Sequence, residues 1–159
     1  MFYHSEGSSG KLIQDLKYHN RPEIGEVLAF YLAPKLATDP PGIIIPIPLH
    51  KKKLKIRGYN QLEKFGKKLA RLLQATYRDD VLIKTSHTES QTRKSPVDRW
   101  KNVKETFRIG NISDLENKHI LLVDDVLTTG ATLSAAASVI YENLPRARIS
   151  VAVMAFKKD

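Results

Sequence analysis

Residues 120–133, ILLVDDVLTTGATL, constrain this chain more tightly than any other stretch. The apolar run at 120–123 reads as a strand buried on both faces, the pattern of a parallel sheet. Asp124 and Asp125 follow at its carboxyl end, and Thr128, Thr129, Gly130, Ala131 and Thr132 then form a tight turn into a helix. Strand, turn and helix in that order belong to a βαβ unit, and ligands of such sheets settle outside the carboxyl ends of the strands. Two adjacent ionised carboxylates repel, and burying them costs on the order of several kcal/mol unless hydrogen-bond donors or a cation compensate. The vicinal hydroxyls of a ribose are such donors, and Mg²⁺ is such a cation. Beyond the turn, the first amides of the helix lack partners and its dipole favours an anion. Gly130 permits close backbone approach, and the threonine hydroxyls add bonds to phosphate oxygens. The stretch therefore suits a phosphorylated sugar. A plain turn capped by Thr129 gives the paired acids no purpose, and a phosphate-accepting Asp124 does not require the Thr-Thr-Gly-Ala-Thr cradle.

Alternating elements surround this unit. KLIQDLKYH from Lys11 places Leu12, Ile13 and Leu16 on one helical face, and Pro22 opens a second helix through EIGEVLAFYLAPKLA, so two helices are expected before any strand. GIIIPIPLH reads as a buried strand over 43–47 that ends at Pro46 and Pro48 in a shaped, basic loop, HKKKLKIRGYN. QLEKFGKKLARLLQATY repeats apolar residues at Leu62, Phe65, Leu69, Leu72 and Leu73, the spacing of an amphipathic helix. VLIKT and ETFRI read as strands on either side of a long polar segment at 86–104, of the kind that forms lids. KHILLVDDV, ATLSAAASVIYENL and RISVAVMAF follow as strand, helix and strand, which together argue for a largely parallel α/β sheet. One domain over 1–159 is expected, with an N-terminal helical segment at 1–40 and an α/β core at 41–159.

Twenty-six Lys and Arg against seventeen Asp and Glu leave a net charge of +9, which favours anionic partners without choosing among nucleotides, phosphosugars and nucleic acid. There is no cysteine, which excludes disulfides and cysteine zinc sites. The longest apolar run is far short of a membrane span, and the first ten residues lack the basic-then-apolar order of a secretion signal, so a cytoplasmic location is the expectation.

VDDVLTTGATL resembles the phosphoribosyl pyrophosphate (PRPP) binding motif of type I phosphoribosyltransferases. The whole chain is similar to the ComF-type competence family, also described as amidophosphoribosyltransferase-like. The similarity runs from LIQDLKY through IPIPLHKKKLKIRGYNQ and TESQTRKSPVDRWKNVKETF to ILLVDDVLTTGATL. It implies a mostly parallel central sheet with helices on both faces and a flexible hood segment. It implies that Asp124 and Asp125 meet the ribose hydroxyls, and that Thr128, Thr129, Gly130, Ala131 and Thr132 cradle the 5′-phosphate. Pyrophosphate then falls to the loop of Leu49, His50, Lys51, Lys52 and Arg57, where Lys53 and Lys55 add charge that would stabilise the leaving group. Mg²⁺ is the implied cofactor, carried by PRPP and touching the protein, if at all, through Asp124 and Asp125. Arg57, Asn60 and Gln61 match a family motif whose role the sequence leaves open. Gln91, Thr92, Arg99 and Asn102 lie in the hood segment, with Trp100 packing the lid or shielding the site.

Two departures stand out. Family members commonly carry a cysteine zinc module ahead of LIQDLKY, so this chain reads as a trimmed form or a short branch. Enzymes acting on 6-oxopurines place an acid where Thr128 stands, which argues against hypoxanthine or guanine as acceptor. Among the histidines His50, His87 and His119, His50 beside the basic loop is the candidate general base, while His119 opens a strand and reads as structural. The implied reaction is a glycosyl transfer, in which a nitrogen nucleophile attacks ribose C1 of PRPP and pyrophosphate leaves. The alternative is a non-catalytic accessory protein of competence or DNA uptake that binds PRPP, a nucleotide or DNA. Expected partners are accordingly PRPP or a related phosphosugar or nucleotide, single-stranded DNA, competence proteins, and a second copy in a homodimer.

Overall fold

The apolar runs at 43–47 and 120–123 become the two central strands of a parallel sheet. In a computed structural model of the chain, the described residues are 2–3, 15–16, 21, 23–85 and 106–157. Their elements, in order, are β1 (Phe2–Tyr3), α1 (Glu23–Leu36), β2 (Ile43–Pro46), α2 (Lys51–Arg57), α3 (Glu63–Leu73), β3 (Thr76–Tyr77), β4 (Leu82–Lys84), β5 (Phe107–Ile109), β6 (His119–Leu127), α4 (Ala131–Asn143) and β7 (Arg148–Lys157). The main sheet runs β1-β7-β6-β2-β3, every pair parallel. Ile43, Ile44, Ile45 and Pro46 stand opposite Ile120, Leu121, Leu122 and Val123, and all eight side chains are buried. Each large aliphatic group so covered contributes roughly 1.5–3 kcal/mol relative to exposure, which makes this pair of strands the firmest part of the fold.

Helices α1 and α3 pack closely, because a Cβ on Gly25 would stand 3.1 Å from both the backbone nitrogen and the Cβ of Phe65. Phe65 and Leu69 of α3 are buried in the core with Leu62. Asp15 and Leu16 are helical, as KLIQDLKYH predicts, and Leu16 is fully buried; the rest of that segment lies outside the described residues.

Four expectations are corrected. A strand, β1, precedes the helices. Its two residues carry no periodic signal, and only parallel pairing with Phe156 and Lys157 makes them a strand. The basic loop after β2 contains a helix, α2, with no buried residue; its Lys, Leu and Arg are good helix formers, and no apolar stripe announces it. The strands VLIKT and ETFRI leave the main sheet and pair antiparallel as β4 and β5, Lys84 opposite Phe107. Lastly, β6 runs through the acids to Leu127 and does not stop at Val123.

The order of strands places the site. The chain leaves β2 toward β3 and leaves β6 toward β7, in opposite directions, so the crevice between the carboxyl ends of β2 and β6 is a topological switch point. The backbone of residues 44 and 46 of β2, and of residue 48 just beyond it, is turned to the β3 side, as the bond from Arg78 N–H to the Ile44 carbonyl shows. Pro46 and Pro48 fall on that side just where β3 has ended, so their missing donors break no ladder.

Candidate functional site

The ladder between β2 and β6 changes character at the acids. Ile47 N–H donates to the Val123 carbonyl at 2.9 Å, the last such bond from β2. At the next rung side chains enter: Asp125 N–H donates to Asp124 Oδ1 at 2.8 Å, and Asn60 Nδ2 donates to the Ile47 carbonyl at 3.2 Å. On its other edge β6 stays paired with β7, Asp124 opposite Val153 and Val126 opposite Ala155. One edge of β6 is thus held while the other opens beside the end of β2.

Asp125 is 7% exposed and Asp124 is half-buried. The burial of Asp125 is compensated by Gln61, itself 4% exposed, whose Nε2 donates to Asp125 Oδ2 at 2.7 Å. Gln61 Oε1 in turn accepts from Arg57 Nη1. A buried acid, a buried amide and a guanidinium therefore stand in series.

The turn after β6 is built from backbone. Gly130 is the residue before α4 and has φ 76°, a left-handed value that favours glycine. A Cβ there would make only ordinary contact with Leu127, so the requirement is conformational and not steric. No side chain caps α4 from Gly130; Thr129 Oγ1 accepts from Ala131 N–H at a long 3.5 Å. Thr128, Thr129 and Ala131 are exposed and Thr132 is half-buried. Helix α4 therefore begins where β6 ends, at the carboxyl edge of the sheet, with first-turn amides that the helix itself does not bond.

Across the crevice lies α2. Lys51, Lys52, Lys53 and Lys55 are exposed on it, and Leu49 and His50 lead into it half-buried. His50 is its N-cap, with Nδ1 accepting from Lys52 N–H at 3.3 Å, so that nitrogen is engaged in holding the helix. His119 sits at the opposite end of β6. Its Nδ1 lies 2.7 Å from Arg148 Nη2 and 3.4 Å from the Pro40 carbonyl; the shorter contact, with a guanidinium that only donates, makes Nδ1 the acceptor, and Nε2–H then donates to Ser150 Oγ at 2.9 Å. It is structural, as expected. His87, Gln91, Thr92, Arg99, Trp100 and Asn102 lie outside the described residues.

Sequence reasoning passed over Lys84. Its ammonium lies 5.5 Å from the centre of the Phe107 ring, at the root of the segment that joins β4 to β5. Burial holds its pKa below the ordinary lysine value; the charge of Lys53 pushes the same way, while Asp124 and Asp125 pull it back. The charges that act on Lys84 are thus those of both acids and of Lys53 on α2. The available signal was a lone lysine in an apolar strand, and nothing local says which way it faces.

A paired acid at a switch point, facing an uncapped helix turn on one side and a basic helix on the other, defines a site for an anionic, hydroxyl-bearing ligand. Residues 60–159 match the model of the phosphoribosyl transferase domain. Competence protein F of Haemophilus influenzae is 34% identical over 131 residues, covering 77% of this chain and 57% of that protein. The DNA utilization protein YhgH of Escherichia coli O157:H7 is 30% identical over 139 residues, covering 83% of this chain and 60% of that protein. The chain thus spans less than two thirds of the length of either relative. Among solved structures, a purine phosphoribosyltransferase from Pyrococcus horikoshii shares the fold with a TM-score of 0.54 at 21% identity, over 84% of this chain and 74% of that one. The chain belongs to the phosphoribosyl transferase domain family, and within it to the ComF type.

Proposed function

We propose that the chain binds PRPP with Mg²⁺ and transfers its phosphoribosyl group to a nitrogen nucleophile, releasing pyrophosphate. The observation that carries this reading is the buried Gln61–Asp125 hydrogen bond beside Asp124 at the switch point, on the strand that leads into the Gly130 turn and α4. Asp124 and Asp125 would take the ribose hydroxyls. The amides and hydroxyls of Thr128, Thr129, Gly130, Ala131 and Thr132 would take the 5′-phosphate, leaving Lys51, Lys52, Lys53, Lys55 and Arg57 for the pyrophosphate.

Among the described residues no cluster of three or more His, Cys, Asp or Glu could hold a metal by itself. Two carboxylates form an all-oxygen donor set that suits a hard cation whose remaining ligands come from phosphates and water. Mg²⁺ bound with the substrate would neutralise pyrophosphate and make it a better leaving group. Asp124 and Asp125 would be the protein atoms nearest to it.

A second reading rests on α2. Ile56 is 88% exposed on a helix whose other exposed side chains are mostly lysine, which suits a nucleic-acid backbone, and relatives carry the words competence and DNA utilization in their names. Among the described residues no helix is long and apolar enough to cross a membrane. Calorimetric titration with PRPP, with and without Mg²⁺, beside a short single-stranded DNA, decides between the two. Saturable Mg-dependent PRPP binding, lost by at least about 100-fold in Asp124→Asn/Asp125→Asn without a fall in melting temperature, is the expected outcome. Salt-sensitive DNA binding with no response to PRPP would replace the enzyme reading by the accessory one.

A further inference from the structure

We propose that the segment Arg57, Gly58, Tyr59, Asn60, Gln61 is a relay in which Gln61 acts as a positioning residue, presenting Asp125 to the ribose in one orientation and tying that orientation to the basic helix α2. The proposal rests on the reading of the site as a PRPP site and adds a role to residues that reading leaves unassigned.

Each residue of the segment has its own contact. Arg57 ends α2, and Gly58 at φ 82° turns the chain sharply away from it. Tyr59 Oη donates to the carbonyl of the fully buried Leu16 at 2.7 Å, anchoring the turn to the core. Asn60 bridges the end of β2 to the start of α3: its Nδ2 donates to the Ile47 carbonyl, and its Oδ1 accepts from Leu62 N–H at 3.0 Å. Gln61 is thereby held at the backbone on both sides, and its side chain reaches a strand 64 residues away in the chain.

The orientation of the Gln61 amide follows from chemistry. A guanidinium only donates and an ionised carboxylate only accepts. Oε1 must therefore face Arg57, and Nε2 must face Asp125, the arrangement observed. Turning the amide over would set two donors together at one end and two acceptors at the other. A Gln61 amide pinned by Arg57 thus fixes Asp125 Oδ2, and with it the plane in which the carboxylate meets ribose hydroxyls. Geometry of this kind matters, because hydrogen bonds to a sugar diol weaken steeply with misalignment. The same link makes the ribose acid responsive to whatever anion engages the end of α2.

The test compares wild type, Gln61→Met and Gln61→Glu by titration with Mg–PRPP, alongside inorganic phosphate as an anion that carries no ribose. Gln61→Met removes both hydrogen bonds at similar volume, and PRPP affinity is expected to fall about tenfold or more while inorganic phosphate binds as before. Gln61→Glu keeps a partner for Arg57 but sets a second carboxylate against Asp125, so its PRPP affinity should fall further than that of Gln61→Met, again with inorganic phosphate bound as before. That order, and its confinement to the ribose-bearing ligand, is one a merely structural side chain would not produce, and the Gln61→Glu arm remains readable if Gln61→Met fails to fold. PRPP binding within twofold of wild type for both variants overturns the relay. A wild-type chain that does not bind Mg–PRPP overturns the site reading and the relay together, and is told apart from failure of the relay alone by the wild-type titration itself.

Discussion

The segment after β2 and the turn after β6 flank one crevice and offer an anion different means of binding. The first places four lysines and Arg57 on a seven-residue helix with no buried side chain. The second has no charged residue from Val126 to Thr132 and offers backbone amides, hydroxyls and the start of a thirteen-residue helix. Side-chain cations on an exposed helix are adaptable, and salt screens them. A backbone turn is pre-organised and largely indifferent to salt, and it depends on conformation. A ligand with a phosphate at each end meets one rigid socket and one compliant one. That combination suits a bound group that stays and a leaving group that departs.

The sharpest way to break this contrast is at Gly130. Gly130→Val forces a β-branched residue into φ near 76°, at a cost of about 1–3 kcal/mol, and should abolish phosphate binding in the turn. Thermal melting and a titration with ribose 5-phosphate check both effects; retained affinity for that sugar phosphate would remove the backbone cradle from the account.

A smaller effect is expected across the crevice. Replacing Lys51, Lys52 and Lys55 together by Gln should leave the melting temperature unchanged, because none is buried. PRPP affinity should fall roughly tenfold at low salt, and the difference from wild type should shrink at high salt. A deficit that persists at high salt would show that α2 acts through shape and not charge.

The smallest effect concerns Lys84. Burial lowers its folded pKa below the ordinary value of 10.5, so the unfolded chain keeps the proton over a pH window in which the folded chain has lost it. Stability therefore rises with pH across that window, and below it the penalty is complete. Lys84→Met should raise the melting temperature by about a few degrees near neutral pH, an advantage that fades as pH approaches that of free lysine. It should also weaken PRPP binding more than binding of inorganic phosphate.

Much of the molecule is legible along the chain because its signals are local. The runs at 43–47 and 120–123 are apolar enough to mark buried strands, and the amphipathic spacing from Leu62 to Leu73 marks α3. In the same way, a pair of acids followed by Thr-Thr-Gly-Ala-Thr marks the strand, turn and helix of the candidate site. The failures have a common cause. In β1 and β3, two residues each, pairing alone makes a strand. The antiparallel partnership of β4 and β5 spans the segment between them, and their own residues do not specify direction. Helix α2 has propensity without an apolar face, so a pattern search reads it as loop.

The sequence by itself determined which groups the candidate site offers, since the adjacent carboxylates and the small-residue turn have a covalent spacing. Only the tertiary structure decided the company those acids keep. Gln61 reaches Asp125 across 64 residues, and Lys84 comes within electrostatic reach of both acids from a separate sheet. Contacts of that kind depend on strand order and on which edge of β6 is left open, and these are settled when the whole sheet assembles and not by any single segment of it.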